Sequence, residues 1–164
     1  MSIIDDLITD RKAADVAQVK SLLALANVGD ASAQYRLENE DFKGAYNAAD
    51  LNRVGTACEY LHGLITDMGY DVPNYTTPKT DWAGTDVPTA AQLQAYITNI
   101  AALKAVWSAA QTIPSTMDNL GYDGANNIER LLIEVEGQIE KITAIYIYSG
   151  AWNAYSGTGY YIAK

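Results

Sequence analysis

Two short patterns return along this chain in the same order, which points to a duplicated unit of two helices. Thr9-Asp10-Arg11 followed by Asp15-Val16 is matched by Thr80-Asp81-Trp82 followed by Asp86-Val87. Farther on, Tyr46-Asn47 leading to Leu51-Asn52-Arg53-Val54 is echoed by Tyr122-Asp123 leading to Ile128-Glu129-Arg130-Leu131. The first pattern has the residues of a turn before a helix, where a short carboxylate accepts backbone N–H groups and further acidic charge favours the positive helix entrance. Asp10 and Asp81 are therefore expected to accept turn N–H groups, with Asp15 and Asp86 at the entrances. Arg53 and Arg130, one turn into the second helix of each unit, are expected to pair with those carboxylates. Asp10, Asp81, Trp82, Arg53 and Arg130 thus form the candidate turn and pairing set.

Helical periodicity supports the same division. Residues 13–26 carry Val16, Val19, Leu22, Leu23 and Ala26 on one stripe. After Asn47, a cap with Asp50 three residues on, the stripe is Leu51, Val54, Cys58, Leu61, Ile65 and Met68, and Gly69 is its natural stop. A third stripe follows the Thr89/Gln92 capping pair with Leu93, Ile97, Ile100, Leu103 and Trp107, ending before Pro114. The fourth follows Asp123 through Ile128, Leu131, Leu132, Val135, Ile139, Ile142 and Tyr146, until Ser149-Gly150 breaks it. Residues 30–41 are polar and weakly periodic, with room for a short extra helix. Residues 71–87, interrupted by Pro73, Pro78 and Gly84 and followed by Pro88, read as an irregular crossover. The expected fold is all-α: residues 1–147 form a duplicated helical hairpin, with halves at about 9–70 and 80–147, packed as a four-helix bundle with pseudo-twofold symmetry.

Residues 148–164 change character. Tyr148-Ser149-Gly150 returns as Tyr155-Ser156-Gly157, with Trp152, Tyr160 and Tyr161 beside them and no charge before Lys164. Such a stretch suits an extended arm better than a helix. Tyr and Trp supply large, rigid contact area with a polar tip, so Tyr148, Trp152, Tyr155, Tyr160 and Tyr161 are the candidate residues for contact with a neighbouring subunit, the alternative being that the stretch folds back over the bundle and covers its apolar surface.

Chemistry-bearing motifs are missing from the sequence. The one histidine, His62, has no second ligand at metal spacing. Glu38, Glu40 and Asp41, and likewise Glu134, Glu136 and Glu140, read as solvated charge rather than catalytic carboxylates. No phosphate loop, nucleophile elbow or calcium loop appears, so neither enzyme activity nor a cofactor is expected. The net charge of −9 opposes binding to nucleic acid, which needs clustered Lys and Arg. No run approaches the roughly 20 apolar residues of a membrane span, and the N-terminus lacks the basic start of a secretory signal. The lone Cys58 sits on an apolar stripe and is expected in the core.

Several segments together resemble small proteins encoded in the tail-gene region of bacteriophages and prophages of Gram-positive bacteria. They are Ile3-Ile4-Asp5-Asp6-Leu7-Ile8-Thr9-Asp10-Arg11, Lys43-Gly44-Ala45-Tyr46-Asn47-Ala48-Ala49-Asp50-Leu51-Asn52-Arg53-Val54, and Pro78-Lys79-Thr80-Asp81-Trp82 with Asp86-Val87-Pro88-Thr89. Ala125-Asn126-Asn127-Ile128-Glu129 and the Tyr-Ser-Gly tail complete the set. In the tail, Ala151 and Thr158 stand where the family usually carries an acidic residue after Ser-Gly. The resemblance implies a non-enzymatic structural protein of the virion, at the tail tip or baseplate, made in the host bacterial cytoplasm. Its implied partners are other tail proteins and copies of itself. The alternative is a host-surface module whose Tyr and Trp side chains stack on cell-wall glycans.

Overall fold

The computed structural model describes residues 2–149, and side chains as far as residue 145. The described residues form five α-helices, a short 3-10 turn and no strand: the turn Ile3–Asp6, then α1 (Ala13–Asn27), α2 (Ala31–Asn39), α3 (Ala48–Asp67), α4 (Ala90–Trp107) and α5 (Tyr122–Ser149).

The helix ends are written into local residues. The Asn47 side chain accepts from the Ala49 and Asp50 N–H groups while Asp50 Oδ2 accepts from the Asn47 N–H, opening α3 with a reciprocal cap. Thr89 and Gln92 do the same for α4. At the far end of α3, Gly69 takes φ +84°, which lets Gly69 N–H reach the Thr66 carbonyl and Tyr70 N–H reach the Ile65 carbonyl. The same pair of bonds closes α1 at Gly29 (φ +90°), and Asp30 at once caps α2 through the Ala33 N–H at 2.9 Å. Residues 30–41 therefore do hold a short helix, and α1 and α2 fold on each other as a tight hairpin. The fourth stripe becomes helical at Tyr122, so Asp123 lies in the first turn of α5 rather than capping it.

One core unites α3, α4 and α5. Leu51, Val54, Cys58, Leu61 and Ile65 of α3 meet Ile97, Ile100 and Leu103 of α4 and Ile128, Leu131, Leu132, Val135 and Ile139 of α5, and Ile4 of the N-terminal turn seals one side. Each fully buried Leu or Ile contributes about 1.5–3 kcal/mol of transfer free energy. α3 and α4 run the same way. The Tyr46 hydroxyl just ahead of α3 bonds Tyr96 in the second turn of α4, and Tyr70 just past α3 meets Trp107 at the end of α4, edge to face at 5.5 Å. A parallel pair requires the chain to travel back between them, which is the role of the irregular crossover.

This packing departs from the expected four-helix bundle. Of the first stripe only Val19 and Leu22 are buried, and Leu23 stands 47% exposed. The cause is in the composition of α1. Apolar residues surround it on every side, so its stripe names no direction, and the short α2 takes it as partner while the three-helix core closes without it. The two copies of the turn also lead out differently. Asp15 accepts the Lys12 N–H at 2.7 Å and Asp86 accepts the Ala83 N–H at 3.0 Å, so the turns themselves are alike. In the first, Asp15 already lies in the first turn of α1. In the second, Pro88 biases Val87 to extended backbone and the helix must be capped afresh at Thr89.

Candidate functional site

Four charged side chains from three segments meet inside the protein. Arg11 arrives on the extended segment before α1, Asp50 and Arg53 on the first turns of α3, and Glu129 on the second turn of α5. Arg11 is 4% exposed and Glu129 is fully buried. Arg11 Nη1 donates to the Ile8 carbonyl at 2.6 Å, and Nη2 donates to Asp50 Oδ1 at 2.7 Å and to Glu129 Oε1 at 2.6 Å. Arg53 completes the ring. Its Nε donates to Glu129 Oε2 at 3.2 Å, and its Nη2 donates to Glu129 Oε1 at 3.1 Å and to Asp50 Oδ1. Burial opposes the Arg53 charge, but its bonds to Glu129 and Asp50 outweigh that and raise its pKa. The Tyr46 ring closes the cluster, its centroid 5.5 Å from the Arg11 guanidinium carbon.

The cluster is neutral, two guanidinium groups against two carboxylates, and so escapes the cost of an isolated buried charge. What it holds is backbone. Glu129 Oε2 accepts the Ile8 N–H, the Asn126 side chain accepts the Arg11 N–H at 3.0 Å and donates to the Arg11 carbonyl at 2.9 Å, and Arg130 donates to the Thr9 carbonyl at 2.7 Å. Along α5, Glu136 accepts the Ser2 hydroxyl at 2.6 Å. Residues 2–11 are thus laid down on α5 and pinned at five points.

Asparagine does the same elsewhere. Asn52 of α3 accepts the Trp82 N–H at 2.7 Å and donates to the Trp82 carbonyl at 2.9 Å. Asn99 of α4 accepts the Thr76 N–H at 2.9 Å and donates to the Thr76 carbonyl at 2.6 Å. A carboxamide presents one acceptor and a donor pair at the spacing of a peptide group, so each Asn replaces the partner strand an extended segment would otherwise need. The grips are crossed between the halves: the turn of the first half lies on α5 and that of the second lies on α3. The fit to α3 is close, because a Cβ on Gly55 would stand 3.1 Å from Thr80 Cγ2 and 3.3 Å from the Lys79 carbonyl.

The expected turn and pairing residues therefore have other partners. Asp10 binds Lys43 Nζ at 2.7 Å and Asp81 binds Lys79 Nζ at 2.8 Å, while Asp15 and Asp86 take the turn N–H groups. Arg53 joins Asp50 and Glu129 rather than those carboxylates, and Arg130 reaches a carbonyl. Trp82 is half-buried against the core with Lys79 Nζ 5.0 Å from its ring centroid. Glu134 is not merely solvated, since it accepts the Ala110 N–H at 2.8 Å and the Gln111 N–H at 3.1 Å. His62 stacks on Tyr75 at 3.9 Å between centroids. The role of Asn126, Asn52 and Asn99 was missed by sequence reasoning. The signal was there for two of them, since Asn52 belongs to a recurring pattern and Asn126 to a segment that carries the family resemblance.

Two open clefts lie beside the cluster. One, of ≈ 590 Å³, separates the first turns of α1 and α5 and is lined by Arg11, Lys20, Lys43, Tyr46 and Tyr122 among others. The other, of ≈ 580 Å³, lies between the loop before α3 and the crossover, with Glu38, Asp41, Trp82 and Asp86 on its walls. Among the described residues no group of three His, Cys, Asp or Glu side chains is placed to share a metal ion, and no helix is long and apolar enough to cross a membrane. Tyr148 lies on the last turn of α5, and Trp152, Tyr155, Tyr160 and Tyr161 fall outside the described residues. No family model matches the chain, and no curated protein or solved structure is significantly similar to it.

Proposed function

We propose that this chain is a non-enzymatic structural component of a phage or phage-like tail, in the tip or baseplate region, that assembles through contacts between subunits. One observation carries the reading: the buried ion cluster engages its charges with one another and with the protein's own N-terminal backbone. Such a cluster locks a chain segment in place and offers no poised carboxylate or nucleophile to a cleft. The segments that resemble tail-region proteins support it too, because Thr9, Arg11, Asp50, Arg53, Asn126 and Glu129 among them are the residues that build the lock.

In this reading the helical body is a rigid spacer, α5 carries residues 150–164 away from it as an extended aromatic arm, and the arm contacts other tail proteins or further copies in the virion. The test is incorporation. A chain ending at Ser149 is expected to keep the helical signal of the full chain in circular dichroism and to be lost from assembled particles. Normal incorporation of the shortened chain would remove the arm from the account, and particles that never contain the full chain would remove the account itself.

A further inference from the structure

The strap of residues 2–11 is held on α5 by side-chain grips and by Ile4 in the core, but the α1–α2 hairpin that follows it stands apart. Its buried residues Val19, Leu22 and Ala33 lie outside the core that α3, α4 and α5 share. Both open clefts separate it from the body: the first lies between α1 and the start of α5, and the second sets Leu37 and Glu38 of α2 opposite Trp82 and Pro88. Residues 40–45 then join the hairpin to Tyr46, which its bond to the Tyr96 hydroxyl anchors to the body. In that loop Lys43 binds Asp10 and Gly44 lies directly on the first turn of α1. A Cβ on Gly44 would overlap the Asp15 carbonyl group and stand 2.6 Å from the Val16 nitrogen, so the loop folds back on its own hairpin only because residue 44 has no side chain.

We infer that residues 2–39 are exchanged between copies, the strap of one copy seating on α5 of another with residues 40–45 extended between them; this names the partner in the assembly reading above and rests on it. The grips on the strap come from α3 and α5, so a second copy offers the same grips in the same geometry. The body is incomplete without a strap. Asp50, Glu129 and Arg53 carry one negative charge among them, and Arg11 is the cation that balances it. Whichever copy supplies Arg11, the buried set is neutral and the Ile8, Thr9 and Arg11 backbone groups keep their partners. Exchange therefore needs no new complementary surface, which suits copies that each carry a net charge of −9 and repel one another face to face. What is lost is local: the exposed ion pair of Lys43 with Asp10, which contributes little, and the Gly44 contact. Where copies are held side by side, the high effective concentration of a neighbour's α5 offsets that loss and links the copies.

The experiment mixes two variants of the full chain, Ser2→Cys and Glu136→Cys, which carry tags of different size and are unfolded and refolded together over a range of concentrations. The Ser2 and Glu136 side chains meet at 2.6 Å when a strap is seated, and Cys58 is 1% exposed, so a short thiol cross-linker added after refolding reports whose strap lies on whose helix. The expected product contains one of each variant and rises with concentration. It exceeds the product of Ser2→Cys mixed with Ala105→Cys, an exposed position on α4 that reads chance collision. Gly44→Ala in both copies should raise the yield further and shift the chain to the mass of two copies, since the added methyl group expels the loop from α1 and leaves the strap and its grips untouched. A yield no higher than that of the collision pair overturns the inference. So does a Gly44→Ala chain that keeps the full helical signal and the mass of one copy. Either result leaves the tail role standing, because that role is read from particle incorporation.

Discussion

Arg11 and Trp82 occupy the same place in two nearly identical turns, and the protein secures them by opposite means. Both turns are braced by an aspartate four residues on, and both offer their backbone to an asparagine on the helix of the other half. Arg11 then extends a guanidinium into a closed set of charges, whereas Trp82 lays an indole on the apolar core. The ion cluster depends on all its members, because removing one leaves the rest buried and unbalanced. The indole depends only on area. The repeated backbone grip is therefore the common solution, and the side chain at its centre decides how fragile each copy is.

The largest expected effect breaks the charged copy. Arg11→Ala should cost about 3–5 kcal/mol in urea unfolding, since Asp50 and Glu129 then share Arg53 alone. Pairing Arg11→Met with Glu129→Met should recover part of that loss, and a double variant as unstable as Arg11→Ala would mean that burial of charge is not what makes the site fragile. Asn126→Ala should follow at about 2–3 kcal/mol, because it strands the Arg11 N–H and carbonyl in a buried setting. Trp82→Ala, at a half-exposed site, should cost about 2 kcal/mol by the same measurement, and a loss above that of Arg11→Ala would reverse the ranking of the two turns.

The smallest effect concerns acid. Hydrogen bonding to Lys43 lowers the Asp10 pKa below its ordinary 3.8, and bonding to Lys79 does so for Asp81. A depressed carboxyl pKa gives stability that is present above the unfolded value and is lost as pH falls through the folded one. Both groups are solvent-exposed, so Asp10→Asn and Asp81→Asn should each change the midpoint only slightly at pH 7 and not at all below pH of about 2.

The same contrast governs what could be read before the fold was known. Leu51, Val54, Leu61, Ile100, Leu103, Leu131 and Ile139 announced themselves by spacing, and so did the caps at Asn47 and Thr89, because each is a local signal with one physical reading. The destination of α1 was not legible, since a helix apolar on every side does not say which neighbour it meets. Arg53 was singled out, but its partners lie on α5 and before α1, and a pairing of that kind depends on the tertiary path. Asn52, Asn99 and Asn126 were hardest, because polar residues within a helical stripe look like surface until an extended segment is seen lying across them.

Cys58 sits between α3 and its two neighbours, and burial there, aided by the charge of Glu59, pushes its thiol up to about 12. At neutral pH it is both shielded and protonated, hence inert to alkylating reagents for as long as the helices stay closed. The rate at which such a reagent marks the native protein is therefore a stopwatch on transient opening of its centre, one that needs no engineered probe.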